Sequence, residues 1–298
     1  MKNLKIAGAT LAAALAAVAA FSADKPAAKS IFAKNNLVAW CIVPFDAKQR
    51  GPEERARMLH GLGIRRLAYD WRDKDIPTFD QEVDALAKYG IKLQAFWLTS
   101  GPDPASEKGV RAVLELLKRR NVRTEIWYMY APPAGFDALS QPDKVAQVAK
   151  AVKYLAVATQ KLRCKVGLYN HEGWYGEPDN ELAVLEAVGM PNVGLVYNFH
   201  HGQAQIERFP AFLPKILPHL LAVNINGMKK EGPMILTVGE GTYELDMLKL
   251  VRSSGYKGPV GILNHSEERD AEAGLKANMA GLQKLLRAMG DEAALKTY

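Results

Sequence analysis

The chain has 298 residues, of which 48% are hydrophobic, 24% charged and 8% aromatic, with two cysteines. This composition excludes a disordered chain, which would lack the apolar residues for a core, and a disulfide scaffold, which would need far more cysteine. The 39 basic and 32 acidic side chains leave a net charge of +7, spread without a Lys/Arg block, so the charge gives no nucleic-acid footprint.

The first segment pairs a short basic lead, Met1 to Lys5, with an Ala/Leu/Val run from Ile6 to Phe21. The run is short for a membrane span, and Ala20, Ser22 and Ala23 offer small residues for a peptidase before Asp24. The expectation is a signal peptide over 1–23, a short leader over 24–34 and a single domain over 35–298. The mature protein is then exported, periplasmic or extracellular, with no stable membrane insertion after processing. An uncleaved N-terminal anchor is the rival reading.

From residue 35 onward, short apolar runs alternate with longer amphipathic ones. The candidate strands are 37–43, 66–71, 92–98, 124–130, 165–171, 193–200, 220–226 and 259–265. Between them apolar residues recur at three- and four-residue steps, as in Val145, Val148, Val152 and Leu155 or Leu275, Met279, Leu282 and Leu286. Thr78 and Ser106 stand where helix N-caps are wanted, and Gly63, Gly90 and Gly255 where helices end. Eight strand-helix units without a long linker predict one (β/α)8 TIM barrel. A doubly wound sheet would favour a glycine-rich turn after the first strand, where this chain has Val43-Pro44-Phe45-Asp46. Cys41 and Cys164 both lie in apolar runs, which points to two buried thiols over a disulfide.

In such a barrel the chemistry sits where the strands end. The predicted ends carry Asp70 and Trp71, Trp97, Tyr169 with His171 and Glu172, Asn198 with His200 and His201, Asn224 with Asn226, and His265. Four of the six histidines thus converge on one end, whereas His60 and His219 read as structural. Flat aromatic rings (Trp71, Trp97, Tyr128, Trp174) beside amides and carboxylates suit a sugar, although plain barrel packing would use the same rings.

The motifs Gly167-Leu168-Tyr169-Asn170-His171, Gly194 to His201, Val223-Asn224-Ile225-Asn226, Gly239-Glu240-Gly241 and Gly258 to Ile262 resemble the sugar phosphate isomerase/epimerase group of xylose isomerase-like TIM barrels, in particular its exported members. The resemblance spans essentially the whole chain after the leader. It implies a divalent metal held by a Glu on the fifth strand, an Asp and a His on the sixth, a His on the seventh and a Glu on the eighth. These positions fall here on Tyr169, Asn198 with His201, Asn224 and Leu263. Only His201 keeps its identity, so most of the implied cation ligands are replaced and no cofactor is expected, although imidazoles with Glu172 offer an alternative zinc site.

The resemblance then implies proton transfer next to a sugar carbonyl, or related lyase chemistry, without the family's two glutamates. His171 or His201 is the expected base and acid, with Glu240 acting from its loop. Asp70, Trp71, Trp97, Tyr169, Glu172, Asn198, His200, Asn224, Asn226 and His265 are expected to bind substrate. The expected partner is a small sugar or ketosugar. Homo-oligomer formation stays open. Two other functions remain: a carbohydrate-binding barrel without catalysis, and a glycoside-cleaving enzyme built on two of Asp70, Glu172 and Glu240.

Overall fold

The structure, a computed structural model, describes residues 30–298. The expected signal peptide at 1–23 lies outside the described residues, as does most of the leader. Residues 30–34 pack into the domain: Phe32 is fully buried, and its carbonyl accepts a bond from the Tyr298 hydroxyl at 2.9 Å. The packed body therefore begins before the boundary at 35 read from the sequence.

The chain alternates β1 (Leu37–Trp40), α1 (Pro52–Leu62), β2 (Arg66–Tyr69), α2 (Phe79–Lys88), β3 (Lys92–Ser100), α3 (Lys108–Arg119), β4 (Glu125–Tyr130), α4 (Gln141–Gln160) and β5 (Lys165–Tyr169). It continues through α5 (Pro178–Val188), β6 (Val193–Asn198), α6 (Phe209–Ile216), β7 (Leu220–Ile225), α7 (Glu244–Ser253), β8 (Val260–Leu263), α8 (Ala271–Ala288) and the short α9 (Glu292–Leu295). The strands are parallel and close in sequence order, with β1 paired to β8 from Leu37 opposite Val260 to Trp40 opposite Leu263. The protein is a (β/α)8 TIM barrel.

Strand alternation sorts the side chains into two cores. Tyr69, Phe96, Ile126, Leu168, Tyr197, Val223 and Ile262 face outward under the helices. Val38, Trp40, Ala68, Ala95, Trp127, Tyr169, Val196, Ala222 and Leu263 fill the barrel. The interior is crowded: a Cβ added at Gly261 on β8 would come within 1.9 Å of Asn224 Oδ1 on β7, so glycine there makes room for the amide.

Most strands are shorter than their apolar patterns predict. The tails at 41–43, 70–71, 170–171, 199–200 and 264–265 leave the ladder and turn over the barrel's C-terminal end. Cys41, Glu172 and His265 there take positive φ values of 51°, 47° and 45°, a region that L side chains enter at a cost of roughly 1–2 kcal/mol. β3 instead runs on to Ser100. The helix ends agree in part. Gly63, Gly90 and Gly255 take left-handed φ values after their helices, whereas the Thr78 and Ser106 hydroxyls donate back to the Asp75 and Asp103 carbonyls and cap nothing. Ser140 and Asp270 do cap α4 and α8. Cys41 and Cys164 are free and buried.

Candidate active site

A cavity of about 280 Å³ opens at the C-terminal end of the barrel, lined by residues that follow β1, β2, β3, β5, β6 and β8. Its volume sits just below the ~300–1,000 Å³ usual for small-molecule sites, which suits a ligand of monosaccharide size. Eight of the expected residues line it: Asp70, Trp97, Tyr169, His171, Glu172, His200, His201 and His265. Trp40, Cys41, Phe45 and Arg72 line it as well.

The histidines form a row across the opening. Ring centroids are 4.2 Å apart between His171 and His201, 4.0 Å between His201 and His200, and 4.8 Å between His200 and His265. His265 also stacks on Phe45 at 4.2 Å. Three separate turns build this row. β5 ends in a turn through Glu172 and Gly173, both at positive φ. β6 passes into a 3-10 helix, Phe199–Arg208, whose first turn carries His200 and His201. Gly202 lets that turn approach the barrel, because a Cβ there would lie 2.4 Å from the Tyr197 hydroxyl. The Asn198 side chain accepts from the His200 backbone N–H at 3.1 Å and fixes the first step.

Burial and mutual proximity favour the neutral rings of His200, His201 and His265. Burial first, then the neighbouring rings, lower His200 to about 3 and His201 to about 2, and His265 is lowered for the same leading reason. These shifts oppose protonation of His201 at ordinary pH. Its Nδ1 sits 3.3 Å from the Glu172 carboxylate, within hydrogen-bond reach.

Asp70 shows the opposite shift. It is buried beside the cavity, and the loss of water pushes its carboxyl up to about 6 against the attraction of the Arg72 charge. Oδ1 accepts a 3.3 Å bond from the Val43 N–H, and Oδ2 has no partner among the described residues. A buried carboxyl with a free oxygen and a pKa near working pH has the properties of a general acid or base.

Five expected residues do not line the cavity. Trp71 turns outward, donates from Nε1 to the Trp97 carbonyl at 2.8 Å and packs edge-on against Phe79. Tyr128 faces the helices and bonds Ser100, and Trp174 bonds Gln141, so of the four proposed sugar platforms only Trp97 reaches the cavity. Asn198 supports the site from beneath by donating to the Tyr169 hydroxyl, which also accepts from Trp40 Nε1 at 3.2 Å. Asn224 is buried with both amide atoms unpartnered, and Asn226 holds its own loop through the Gly227 and Met234 carbonyls. Glu240 is exposed on that loop. The Gly239-Glu240-Gly241 motif is explained by buried Glu244, whose Oε1 accepts from the Gly239 and Gly241 N–H groups at 3.0 and 2.8 Å.

Arg72 also lines the cavity, although it was not among the residues expected there; it follows β2 after the strand has ended, where alternation no longer tells which way a side chain points. Its guanidinium carbon lies 5.8 Å from the Phe45 ring centre and 5.5 Å from that of Trp97.

The residues at the family's cation positions do not fit a divalent ion. Burial raises the Tyr169 phenol well above its usual range, so it is a neutral group already engaged by Trp40 and Asn198. Leu263 belongs to the barrel core, and Asn224 offers an amide. Asn198 adds only another amide and His201 a single imidazole, so the set lacks the anionic oxygens or several convergent nitrogens that such ions take.

A parallel barrel closed in sequence order, with titratable side chains gathered where its strands end, is an α/β-barrel with a candidate site at the C-terminal end of its strands. The profile of the family described as xylose isomerase-like TIM barrel matches residues 53–285, and the chain belongs to that family. Among solved structures it is similar to a 3-keto-D-glucoside 4-epimerase from E. coli in its apo form, at 15% identity and a TM-score of 0.64, covering 85% of this chain and 100% of that one. It is also similar to a D-tagatose 3-epimerase-like protein, at 14% identity and a TM-score of 0.63, covering 87% and 99%. A third is the IOLI protein with a bound zinc atom, at 15% identity and a TM-score of 0.62, covering 84% and 98%. No curated protein matches the chain.

Proposed function

We propose that the protein is a sugar isomerase or epimerase-like enzyme that moves a proton at the carbon next to a carbonyl of a small sugar or ketosugar. Family membership and the epimerase named among the similar structures support the class. The observation that carries the chemistry is Asp70, a cavity-lining carboxyl raised to about 6 whose buried Oδ2 has no partner among the described residues.

Asp70 in its ionised form takes the proton, and the C–H electron pair moves into the adjacent carbonyl to give an enediolate. His171, across the cavity on the turn after β5, returns a proton to carbon or oxygen. Neutral His200 and His201 then serve as hydrogen-bonding groups for hydroxyls, with Trp97 as the flat apolar face. No step passes through a metal, because the family's ligand positions carry Tyr169, Asn224 and Leu263. The apolar segment at 6–21 supports action outside the cytoplasm, so we assign an unphosphorylated substrate.

The test is incubation with a panel of sugars and ketosugars in deuterated water, read by NMR. Solvent deuterium entering one sugar is the expected result, abolished by Asp70→Asn, strongly reduced by His171→Ala and unaffected by prior chelation. Tight binding without exchange across the panel overturns the catalytic reading in favour of a binding barrel. Release of a cleaved sugar overturns it in favour of glycoside hydrolysis by Asp70 and Glu172.

A further inference from the structure

We infer that the substrate is a sugar acid and that Arg72 binds its carboxylate; this rests on the cavity being the substrate site, as proposed above. Arg72 is the one basic side chain other than histidine that lines the cavity. Its surroundings distinguish it from the arginines next to it. Arg50 pairs with Asp46 and Asp270, and Arg55 with Glu82. Among the described residues Arg72 pairs with no carboxylate, and its side-chain bonds run from Nη1 alone, to the Asp70 and Trp71 carbonyls at 2.8 and 2.9 Å.

That arrangement leaves the Nε–H and both Nη2–H groups without acceptors. The Nε–Nη2 edge is one of the forks with which a guanidinium grips a carboxylate through two parallel bonds. The same guanidinium lies against the rings of Phe45 and Trp97, at 5.8 and 5.5 Å. Two carbonyls and two rings hold the plane in place, so little side-chain freedom is left to lose on binding.

The position also separates this charge from the family's cation. The replaced ligand positions lie on β5 to β8, whereas Arg72 follows β2. The guanidinium does not stand in for the missing ion; it addresses another part of the ligand. A carboxylate on Arg72 would place the rest of a six-carbon acid between Asp70 and the imidazole row. Burial keeps His200 and His201 from adding a competing positive charge. The substrate class is then uronates and keto-aldonates in preference to neutral sugars.

The experiment compares matched probes by calorimetric titration of the full mature chain: D-glucuronate with D-glucose, D-galacturonate with D-galactose, and 5-keto-D-gluconate with L-sorbose. The expected result is that at least one acid binds about tenfold or more tighter than its neutral partner, a difference of about 1.4 kcal/mol, and that added salt narrows the gap. Arg72→Gln should bring the pair within threefold of each other, and Arg72→Lys should restore only part of the preference, because an ammonium keeps the charge and loses the fork. Thermal unfolding of both variants checks that they remain folded. Equal or tighter binding of the neutral member in every pair overturns the inference, as does an acid preference that Arg72→Gln leaves intact or no acid binding up to about 10 mM. Because binding is read without turnover, acids that bind but never exchange deuterium sink the catalytic reading alone, and exchange confined to neutral sugars sinks this inference alone.

Discussion

At the N-terminal end of the barrel, Glu125 accepts from Gln94 Nε2 at 2.8 Å and from Trp127 Nε1 at 2.9 Å, and Arg66 in turn donates to Gln94 at 3.1 Å. At the C-terminal end, Asp70 leaves one oxygen unpartnered and three cavity residues hold positive φ. Burial raises both carboxyls, but only one is fully served by its neighbours. A buried polar group with every bond made stabilises a fold, and one left open destabilises it unless something else arrives. The base of the barrel is built to stay closed and the top to receive.

The largest effect expected from this contrast separates the two carboxyls. Asp70→Asn should lower turnover by about 10²–10⁴-fold, the range for losing a general acid or base. It should also raise stability at neutral pH. A carboxyl whose folded pKa lies above its unfolded value stabilises below the unfolded value and loses that contribution as pH rises through about 6. The variant should therefore gain about 1–3 kcal/mol at pH 7 and nearly nothing at pH 4. Glu125→Gln should leave turnover intact and gain less stability at pH 7 than Asp70→Asn, because burial raises this carboxyl too but the amide turns a donor toward Gln94 or Trp127. Assays of the exchanging sugar and denaturant melts at the two pH values check both. A loss of turnover in Glu125→Gln would break the contrast.

Most of the fold could be read from the sequence because strand and helix repeats leave different periods. Eight apolar runs became eight strands, and the polar tails of those runs marked the end where the cavity lies. The particular inventory was less legible. Trp71 reads as a sugar platform because it stands at a strand end, but β2 stops at Tyr69 and the chain carries the ring under α2 and α3, the packing role that the same rings equally suit. Glu240 looked functional because it stands between two glycines; those glycines serve Glu244, four residues later, and local spacing does not reveal which carboxylate turns inward. Arg72, Phe45 and Trp40 were missed for the converse reason, since their roles depend on which strands become neighbours. The pKa values lay furthest from reach. Nothing in His200-His201 announces that burial will hold both rings neutral.

That row supplies the next test. Unfolded histidines take protons near pH 6.5, whereas His200 and His201 resist to about 3 and 2. A base with a depressed folded pKa contributes stability that is complete above the unfolded value and is lost as pH falls toward the folded one. Stability should climb between about pH 3 and 6.5 by on the order of several kcal/mol, outweighing the opposite slope from Asp70. Replacing both by asparagine should flatten that climb, as read from melting temperature against pH. An unchanged slope would mean that the row is wet and charged, and the top of the barrel would then resemble an ordinary surface.

The smallest effects concern the two tryptophans that follow β2 and sit in β3. Trp97 lines the cavity against Arg72, whereas Trp71 is 7% exposed, and a Cβ on Gly109 would lie 2.6 Å from its ring. Trp97→Ala should weaken sugar binding about tenfold, because the flat face beneath the ring is lost. Trp71→Phe should leave binding untouched and lower stability by about 1 kcal/mol, the worth of one hydrogen bond to the Trp97 carbonyl. The two residues are joined by that bond, which makes the comparison sharp: Trp71 can influence affinity only by shifting the backbone of Trp97. A binding loss in Trp71→Phe that disappears in a Trp97→Ala background would reveal that coupling, and one that persists there would return Trp71 to the cavity.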